Sequence, residues 1–369
     1  MKKHAIIPVF IPHRGCPNDC VFCNQKAITA RGSDVTAEDV RKLIDSYLPT
    51  LQGRGLETIE LAFFGGSFTG IPMEEQSAFL QVAKEYKDRG LIHKIHMSTR
   101  PDYIDRDILD NLRSYDADII ELGVQSFDPD VLKASNRGHD VEAVYCACRL
   151  IKEYGFDLGI QLMIGLPGDS MEKCIHSAEE TVKLAPSIAR LYPTIVLNDT
   201  ELLNMYRAGA YRPLTTEEAV AITKEMYRII DGAGINIIRV GLKSTDLITD
   251  GGEIQGHTYH PAFRQLVEGE LAREQLETQL SELLGKSPAP AGSSENYKGG
   301  AIDKSNAHDK GRLSDCRRFD FFSSGTSFSN MVGNAKVNRK YFAEKYPDIK
   351  IRFRTDSSLE EGRYVVVEC

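Results

Sequence analysis

Tryptophan is absent from this chain of 369 residues, and no apolar run approaches the roughly 20 residues that a membrane-spanning helix needs. The lack of tryptophan does not distinguish between the functions considered below. The lack of a long apolar run argues against an integral membrane protein. Pro8 and Pro12 interrupt the apolar stretch that follows the basic N-terminus, and no small-residue cleavage site comes after it. The sequence therefore carries no sign of a signal peptide, and we expect a cytoplasmic protein without a membrane partner.

A strong excess of one charge is also lacking. Charged residues make up 27% of the chain and the formal net charge is −8, a composition that excludes wholesale disorder, collagen and coiled coil. Residues 286–369 hold 15 basic and 11 acidic side chains, so an acidic body is followed by a mildly basic tail. Such a tail is a weak indication of a polyanionic partner, and on charge alone a solvated surface is the simpler explanation.

Cysteine is too sparse for the disulfide framework of a small secreted domain, because only eight cysteines are spread over the chain. Three of them, Cys16, Cys20 and Cys23, nevertheless fall within eight residues. In a cytosolic protein so tight a group of thiols indicates metal binding or redox chemistry. The other five are scattered: Cys146, Cys148, Cys174, Cys316 and Cys369.

Short apolar runs alternate with helical patterns through the first 240 residues, which predicts an α/β fold with a parallel sheet or barrel. The predicted strands are residues 5–11, 57–64, 93–98, 118–125, 157–164 and 189–197. The first predicted helix has Thr36 as its N-cap, with acidic residues in its first turn. Further helices are predicted at 73–87, 105–114, 140–154, 170–184 and 215–232.

The β/α alternation ends after residue 240, and this predicts four segments. Residues 1–240 form the α/β core, and residues 241–284 form a helical extension with one or two amphipathic helices. Residues 285–314 are rich in small and polar residues and are predicted to be a flexible linker. Residues 315–369 are predicted to form a small α+β unit, with a helix at 337–345 and strands at 349–354 and 363–368.

The thiols follow the first strand with the spacing C-x-x-x-C-x-x-C. Three thiolates on one loop can ligate three irons of a 4Fe–4S cluster, which leaves the fourth iron open to a substrate or cofactor. The alternative is a structural zinc ion with His13 or a distant cysteine as its fourth ligand. Closed zinc sites usually show paired C-x-x-C or C-x-x-H units, which this loop lacks.

Four further loops follow successive predicted strands, at residues 64–70, 98–102, 123–126 and 163–168. They contain Gly-Gly, Thr-Arg-Pro-Asp, Gly-Val-Gln-Ser and Gly-Leu-Pro-Gly. Singly, each sequence is typical of an ordinary turn. In α/β barrels, however, reacting groups lie on the loops at the carboxyl ends of the strands. Together with the cysteine loop, these segments predict a functional site at that end of the sheet.

On these residues the sequence resembles the radical S-adenosylmethionine (SAM) superfamily. The resemblance implies a partial (β/α)6 TIM-like barrel, with a small α+β C-terminal appendage in this chain. It implies that Cys16, Cys20 and Cys23 hold a 4Fe–4S cluster, and that Gly65 and Gly66 bind the SAM amino group. Further positions that match the cofactor-binding motifs are Phe22, Ser67, Ser98, Thr99, Arg100, Gln125, Ser126, Met163 and Gly165.

Within the superfamily, the chain resembles the radical SAM domain of the Elongator catalytic subunit over about residues 5–240. This similarity implies tRNA or another RNA as substrate, with Arg137, His139 and Tyr192 as candidate substrate-side residues. An electron donor such as flavodoxin or ferredoxin is implied as well. Two features differ: the first two cysteines have the ordinary superfamily spacing, and we find no acetyltransferase-like stretch after residue 240. We therefore do not expect acetyl-CoA chemistry.

The terminal unit faintly resembles a KH module, in which a G-x-x-G loop clamps a nucleic-acid backbone. Here the loop would start at Gly333, but Lys336 replaces the second glycine. Basic residues around it could contact phosphates: Lys336, Arg339, Lys340, Lys350, Arg352 and Arg354. The alternative is a small docking domain with a solvated basic surface.

We expect, from residues and resemblance together, a cytoplasmic radical SAM enzyme that cleaves SAM reductively and modifies RNA. Two alternatives remain open at this point. One is radical SAM chemistry on a small molecule such as a tetrapyrrole. The other is a non-catalytic, metal-stabilised RNA-binding protein.

Overall fold

The computed structural model describes residues 3–11, 20–24, 35–242, 254–285 and 317–369. Its contacts divide the chain into two compact units, Met1–Phe263 and Arg264–Cys369. The sequence placed the first boundary at residue 240 and separated a helical extension from the terminal unit. The structure instead groups that helix with the terminal strands. Apart from Gly285, the predicted linker 285–314 lies outside the described residues.

Seven strands of the first unit pair in parallel, in the order β1-β2-β3-β4-β5-β6-β8, and form a curled half-barrel. The strands of this unit are β1 His4–Ile11, β2 Thr58–Gly65, β3 Lys94–Thr99, β4 Ile119–Gln125, β5 Asp157–Ile164, β6 Ile188–Pro193, β7 Val196–Leu197, β8 Asn236–Val240 and β9 Ile254–Gln255. This confirms the predicted partial TIM-like barrel.

Two details of the sheet differ from the sequence prediction. The predicted strand 189–197 is divided, because β6 ends at Pro193, which has no N–H to donate to a neighbouring strand. Its continuation, β7, pairs antiparallel with β9 outside the main sheet. The edge strand β8, parallel to β6, was missed by the prediction.

The helices of the first unit follow the strands. They are α1 Ala37–Leu51, α2 Met73–Asp88, α3 Arg106–Ser114, α4 Pro129–Ala134, α5 Val141–Glu153, α6 Met171–Leu184, α7 Glu201–Arg207 and α8 Thr216–Gly232, with α9 Phe263–Leu283 running into the second unit. Thr36 caps α1 and Thr215 caps α8, each through a capping box with the acidic residue three positions on. No helix among the described residues combines the length and hydropathy needed to cross a bilayer.

The sheet of the first unit has two chemically different faces. Side chains on the helix-covered face are apolar and fully buried, as in Met97, Ile120 and Leu122. The alternate positions point to the concave face of the half-barrel and include ionisable residues, among them His96 and Glu121. Because successive side chains of a strand point to opposite faces, each strand supplies both the hydrophobic core and a polar lumen.

The second unit packs α9 and two short helices against a three-stranded sheet. Its other elements are β10 Arg318–Ser323, α10 Phe328–Val332, α11 Val337–Lys345, β11 Lys350–Thr355 and β12 Tyr364–Glu368. The central strand β10 is parallel to β11 and antiparallel to β12. Leu276 and Leu280 of α9 share one hydrophobic cluster with Phe321 of β10 and Phe342 of α11, which explains why this helix belongs to the terminal unit.

The two faces of the first sheet predict unequal effects of substitution on stability. Leu122→Ala should lower the free energy of unfolding by about 2–5 kcal/mol, because it leaves a cavity among packed side chains. Gln161→Ala on the concave face should cost only about 1 kcal/mol, since Gln161 donates one hydrogen bond to Gln125. Urea unfolding of both variants tests this, and equal losses would contradict the distinction between the faces.

Candidate active site

The loops after β2 and β3 meet at the carboxyl end of the sheet. The hydroxyl of Ser67 lies 2.8 Å from that of Thr99, and the hydroxyl of Thr69 lies 2.5 Å from the same atom. The backbone N–H of Arg100 donates to the Ser67 hydroxyl at 3.2 Å. All four residues are buried, so the predicted Gly-Gly loop and the predicted Thr-Arg-Pro-Asp loop form one hydrogen-bonded layer.

The described part of the cysteine loop is a short turn that contains Cys20 and Cys23. The N–H of Cys23 donates to the carbonyl of Cys20 at 2.9 Å, so the two cysteines lie on one backbone turn. Cys20 is buried, and neither thiol forms a disulfide with a described cysteine. Cys16 lies outside the described residues, as does the rest of the loop before Cys20.

The turn after α4 holds this cysteine turn from one side. The N–H of Val21 donates to the carbonyl of Ser135 at 3.2 Å, and Nη1 of Arg137 donates to Sγ of Cys20 at 3.3 Å. Nη2 of Arg137 donates to the carbonyl of Gly123 at 2.6 Å, which ties the same side chain to the end of β4. Arg137 is buried, and its Nε makes no hydrogen bond. One guanidinium group therefore joins the cysteine turn to the sheet.

A second buried arginine, Arg100, has a different role. Its Nε and Nη2 each donate to a carboxylate oxygen of Asp102 at 2.9 Å, and Nη2 also donates to the carbonyl of Arg137 at 2.6 Å. The sequence left open whether either arginine binds an external carboxylate or an acidic neighbour. In the structure Arg100 pairs with Asp102, whereas the guanidinium of Arg137 contacts a thiol and a carbonyl.

His139 is buried behind these arginines. Neither of its ring nitrogens makes a hydrogen bond of normal geometry, and Nδ1 lies 4.0 Å from Oδ1 of Asp102. Burial, followed by the nearby charges of Arg137 and Arg100, lowers the pKa of His139 to about 4. His139 is therefore neutral at physiological pH and adds no charge to the two guanidinium groups.

The loop after β4 contains Gln125 and Ser126, which the sequence assigned to cofactor binding. Gln125 has φ 72° beside an irregularity in the pairing of β4 with β5. A left-handed conformation of this kind is uncommon for a non-glycine residue and is often found at functional sites. The side-chain oxygen of Gln125 accepts from Gln161, and the hydroxyl of Ser126 accepts from the N–H of Asp128 at 3.1 Å.

Two glycines at this edge have φ values that favour glycine. Gly65 has φ 94°, and a Cβ there would lie 2.4 Å from the carbonyl oxygen of Ile11 at the end of β1. Gly165 has φ 78°, and a Cβ there would lie 2.6 Å from Leu214. The backbone of Gly165 is fixed at both ends, because Asp169 accepts from its N–H and Tyr211 donates to its carbonyl. At both positions a larger residue would collide with a neighbouring segment of the chain, so the conformation of these two loops depends on glycine.

Below this edge, the concave face carries a buried ionic network that the sequence analysis missed. Glu60 Oε1 lies 2.6 Å from Nδ1 of His96, and Glu121 Oε2 lies 2.8 Å from Nε of Arg190. Nε2 of His96 lies 3.8 Å from Glu121, which links the two pairs. Glu60 keeps a pKa below its usual value despite burial, because its contacts with His96 favour the carboxylate.

The pair between Glu121 and Arg190 spans an intervening strand. These residues lie on β4 and β6, and the position of β5 beside Glu121 is Gly159. A Cβ on Gly159 would lie 2.9 Å from Ile188 and 3.1 Å from Glu121. Because glycine leaves this space empty and the sheet is curled, Glu121 of β4 can reach Arg190 of β6 across the intervening strand.

The upper part of the lumen holds Tyr192, one step above Arg190 on β6. Nη1 of Arg190 donates to the Tyr192 hydroxyl at 3.4 Å, and the guanidinium lies 4.7 Å from the centre of the Phe64 ring. Met163 is the register partner of Tyr192, so the predicted cofactor residue and the predicted substrate-side residue lie next to each other. Ser98, lower on this face, donates to Glu121 at 3.0 Å.

A signal for the missed residues was present in the sequence. Each of the four is a charged or imidazole side chain inside a strand that is otherwise apolar at most positions, such as Glu60 in TIELAFF and Arg190 in IARLYP. A parallel strand buried on both faces would be apolar throughout. An ionisable residue in its middle therefore marks the lumen face.

The residues described here fit an iron–sulfur cluster with SAM. Thiols are the usual ligands of such clusters, and Cys20 and Cys23 share one turn. Arg100 and Arg137 bring two positive charges, and the carboxylate of Asp102 pairs with Arg100. His139 adds no charge here, and Nη1 of Arg137 places a positive charge 3.3 Å from Sγ of Cys20.

The neutral state of His139 predicts a pH dependence of stability. Its pKa is about 4 in the folded chain and about 6.5 when unfolded, so the unfolded state binds the extra proton between these pH values. The wild-type protein should therefore lose about 3 kcal/mol of stability from this group as the pH falls from 7 to 4. His139→Asn should remove that loss, and urea unfolding at pH 7, 6, 5 and 4 measures it.

His176→Asn is the matched control, because His176 is half-exposed and lies on α6. Its stability curve should stay parallel to that of the wild-type protein. Parallel curves for His139→Asn would instead mean that the pKa of His139 is the same in the folded and the unfolded chain.

Comparisons with known proteins agree with this geometry. Residues 10–181 match the Radical SAM superfamily, and residues 186–273 match the Radical SAM C-terminal domain. The chain is 28% identical over 256 residues to the tRNA uridine(34) acetyltransferase of Methanocaldococcus infernus, covering 59% of this chain and 48% of that protein. It is 27% identical over 270 residues to Elongator complex protein 3 of Bos taurus, covering 61% and 49%. The chain thus spans about half the length of these relatives.

A solved structure supports the fold. The archaeal Elp3 of Methanocaldococcus infernus, with an N-terminal deletion, matches with a TM-score of 0.58 at 21% identity, covering 79% of this chain and 70% of that one. The two family matches extend over more than half of the sequence, and the predicted half-barrel is present. The chain belongs to the radical SAM superfamily of enzymes.

Proposed function

We propose that this protein is a radical SAM enzyme that modifies RNA, with tRNA as the preferred substrate. The observation that carries the proposal is the contact of Arg137 with Cys20 at the carboxyl end of a half-barrel whose lumen is polar. When bound and reduced by one electron from an external donor such as flavodoxin or ferredoxin, the 4Fe–4S cluster would supply the electron that cleaves the S–C5′ bond of SAM, giving methionine and a 5′-deoxyadenosyl radical that abstracts hydrogen from the substrate. The residues of the chain hold these groups, orient the substrate and keep water out.

Cys16, Cys20 and Cys23 are the proposed cluster ligands. Arg137 is the better candidate for the SAM carboxylate, because Arg100 already forms a two-pronged pair with Asp102. The guanidinium of Arg137 touches Sγ of Cys20 and has a buried Nε without a hydrogen bond. It can therefore bind a carboxylate beside the cluster while Arg100 holds the backbone of Arg137 in place.

The remaining proposed SAM contacts lie along the same edge. Backbone at Gly65 and Gly66 is assigned to the SAM amino group, and position 65 is restricted to glycine because a Cβ there would collide with the carbonyl of Ile11 on β1. Gln125 and Ser126, at the end of β4, are assigned to the ribose side, and Met163 and Gly165, at the end of β5, to the adenine side. Ser67, Ser98 and Thr99 are the remaining proposed cofactor-binding residues. Ser67 and Thr99 hydrogen-bond to each other, and we assign them the role of holding the two loops together.

The RNA substrate is inferred from the relatives. Both curated relatives carry names that refer to tRNA uridine(34) or to Elongator, and the similarity lies in the radical SAM region. We propose that the target base enters the lumen beside Tyr192 and Arg190. Ionic contacts below hold Arg190 in place, so the lumen presents fixed donors to the polar edge of a base.

Cys20→Ala should abolish both stable cluster binding and SAM cleavage, because it removes one of three ligands from a buried position. Iron and sulfide content after anaerobic reconstitution, electron paramagnetic resonance of the reduced protein, and 5′-deoxyadenosine after addition of SAM and dithionite are the measurements. A variant that still makes 5′-deoxyadenosine would refute the assignment.

Cys146→Ala is the matched control for the loss of one thiol. Cys146 lies on α5 and its Sγ contacts Glu142 on the same helix. This variant should retain iron, sulfide and SAM cleavage. Wild-type protein that binds zinc and leaves SAM intact would favour a structural metal site instead.

Tyr192→Phe tests the lumen as the substrate site. Loss of the hydroxyl should leave SAM cleavage without RNA within about twofold of wild type. Formation of modified RNA should fall by about 10- to 100-fold, the loss expected when a hydrogen bond next to a charged group is removed. Mass spectrometry of nucleosides from treated tRNA, relative to 5′-deoxyadenosine formed, measures the ratio.

Tyr206→Phe, an exposed position on α7, should leave this ratio unchanged. If Tyr192→Phe also leaves it unchanged, the substrate does not enter the lumen at β6. If wild-type protein cleaves SAM but modifies no RNA and binds no tRNA, a small-molecule substrate replaces RNA in the proposal.

A further inference from the structure

The outer face of the sheet in the second unit carries a row of basic side chains. Lys350, Arg352 and Arg354 alternate along β11, and Arg318 is the register partner of Lys350 on β10. Residues two apart on a strand lie on one face, about 6.6 Å apart. Phe319 and Phe321 of β10 point the other way, into the hydrophobic cluster with α9. The basic row therefore lies on the face that these helices do not cover.

A single carboxylate organises two of these arginines. Asp320 is buried at the centre of the face, and its Oδ1 accepts from Nε of Arg352 at 2.6 Å while its Oδ2 lies 2.9 Å from Nε of Arg354. Both guanidinium groups are nonetheless about half-exposed, at 50% and 49% of the side chain. Because Asp320 already holds both side chains in place, their remaining N–H groups can bind a ligand with little further loss of side-chain conformational entropy.

The face keeps a positive excess after this pairing. Four cations face one carboxylate, and neither Lys350 nor Arg318 forms an ion pair with a described residue. An aromatic ring, Phe322, lies among them as the register partner of Arg354 and of Val365. Val365 and Val367 on β12 are exposed and extend the face with an apolar edge.

The basic cluster noted in the sequence is thus divided by the structure. Lys336, Arg339 and Lys340 belong to the start of α11, whose Phe342 packs edge-on against Phe321 at 5.0 Å. That helix covers the inner face of the sheet. The β11 residues, by contrast, share the outer face with Phe322.

We propose that this outer face, formed by β11, β10 and β12, binds the substrate RNA of the function proposed above at unpaired nucleotides. Regularly spaced cations neutralise a phosphate backbone, and Phe322 offers a ring on which an unpaired base can stack. The positive excess favours RNA over a protein partner, which would more often meet an apolar face with few charges. The inference rests on the proposed function only for the identity of the RNA.

The test is equilibrium binding of fluorescein-labelled unfractionated tRNA and of a single-stranded oligouridylate to the full-length chain. Lys350→Gln should weaken binding at low salt by about threefold to tenfold and reduce the salt dependence by about one phosphate contact. Phe322→Leu should weaken binding of the oligouridylate by about fivefold or more through lost stacking. Lys340→Gln removes the same charge from α11 and should bind like the wild type.

Thermal unfolding of each variant separates lost contacts from lost folding, and Arg318→Gln provides a second exposed position on the face. Binding by Lys350→Gln, Arg318→Gln and Phe322→Leu at wild-type affinity would overturn the inference. The outer face could instead mediate self-association. A dimer in analytical ultracentrifugation that dissociates in the Phe322→Leu variant would therefore also overturn the inference. Because RNA binding is measured without SAM, a failure of radical chemistry and a failure of this surface give different results.

Discussion

The curl of the parallel sheet is the constraint on which the first unit depends, because it gives the two faces of every strand different surroundings. The convex face meets helices and is apolar, whereas the concave face collects ionisable side chains in a confined space. Charges in such a place are costly unless paired, and removal of one partner from a buried pair typically costs about 3–5 kcal/mol. Glu121 therefore requires Arg190, and glycine at position 159 leaves the space beside β5 that the Glu121 side chain occupies. Tyr192 and the other residues at the upper end of the lumen lie directly above this ionic network. A substitution of one charged residue in the network therefore disturbs side chains on the neighbouring strands as well.

The boundaries of the elements could be predicted closely because local chemistry determines them. Thr36, Thr215 and the aspartates before α3 and α5 cap their helices whatever the tertiary packing, so the sequence predicted these helix starts within a residue. The end of β6 and the presence of β8 could not be predicted in the same way. Both depend on which strand is available as a neighbour at the edge of the sheet, and hydrophobic periodicity carries no information about that.

The candidate site shows the same limit in a different form. Motif spacing predicted that the loops after β2 to β5 meet, and Ser67, Thr99 and Arg100 do form one layer. The roles of the two arginines could not be separated, since Asp102 lies near Arg100 in sequence but the distance of Arg137 from Cys20 depends on the fold. In the second unit, likewise, six basic residues form one cluster in sequence. In the structure, the three near the start of α11 lie on the inner side of the sheet, and the three on β11 lie on its outer face.

Charge balance around the cysteine turn connects these observations to chemistry. Arg100 and Arg137 are buried, and burial of a cation is unfavourable unless an anion or several hydrogen-bond acceptors compensate. Asp102 compensates Arg100, and the backbone carbonyl of Gly123 compensates Arg137 only in part. A protonated His139 would add a third positive charge, and burial together with both arginines keeps it neutral. Arg100, Arg137 and Asp102 together carry a net charge of about +1, and Arg137 places it beside the thiol of Cys20. A thiolate-ligated cluster and the carboxylate of SAM are both anionic, so the cofactors implied by the superfamily are of the sign that complements these buried arginines.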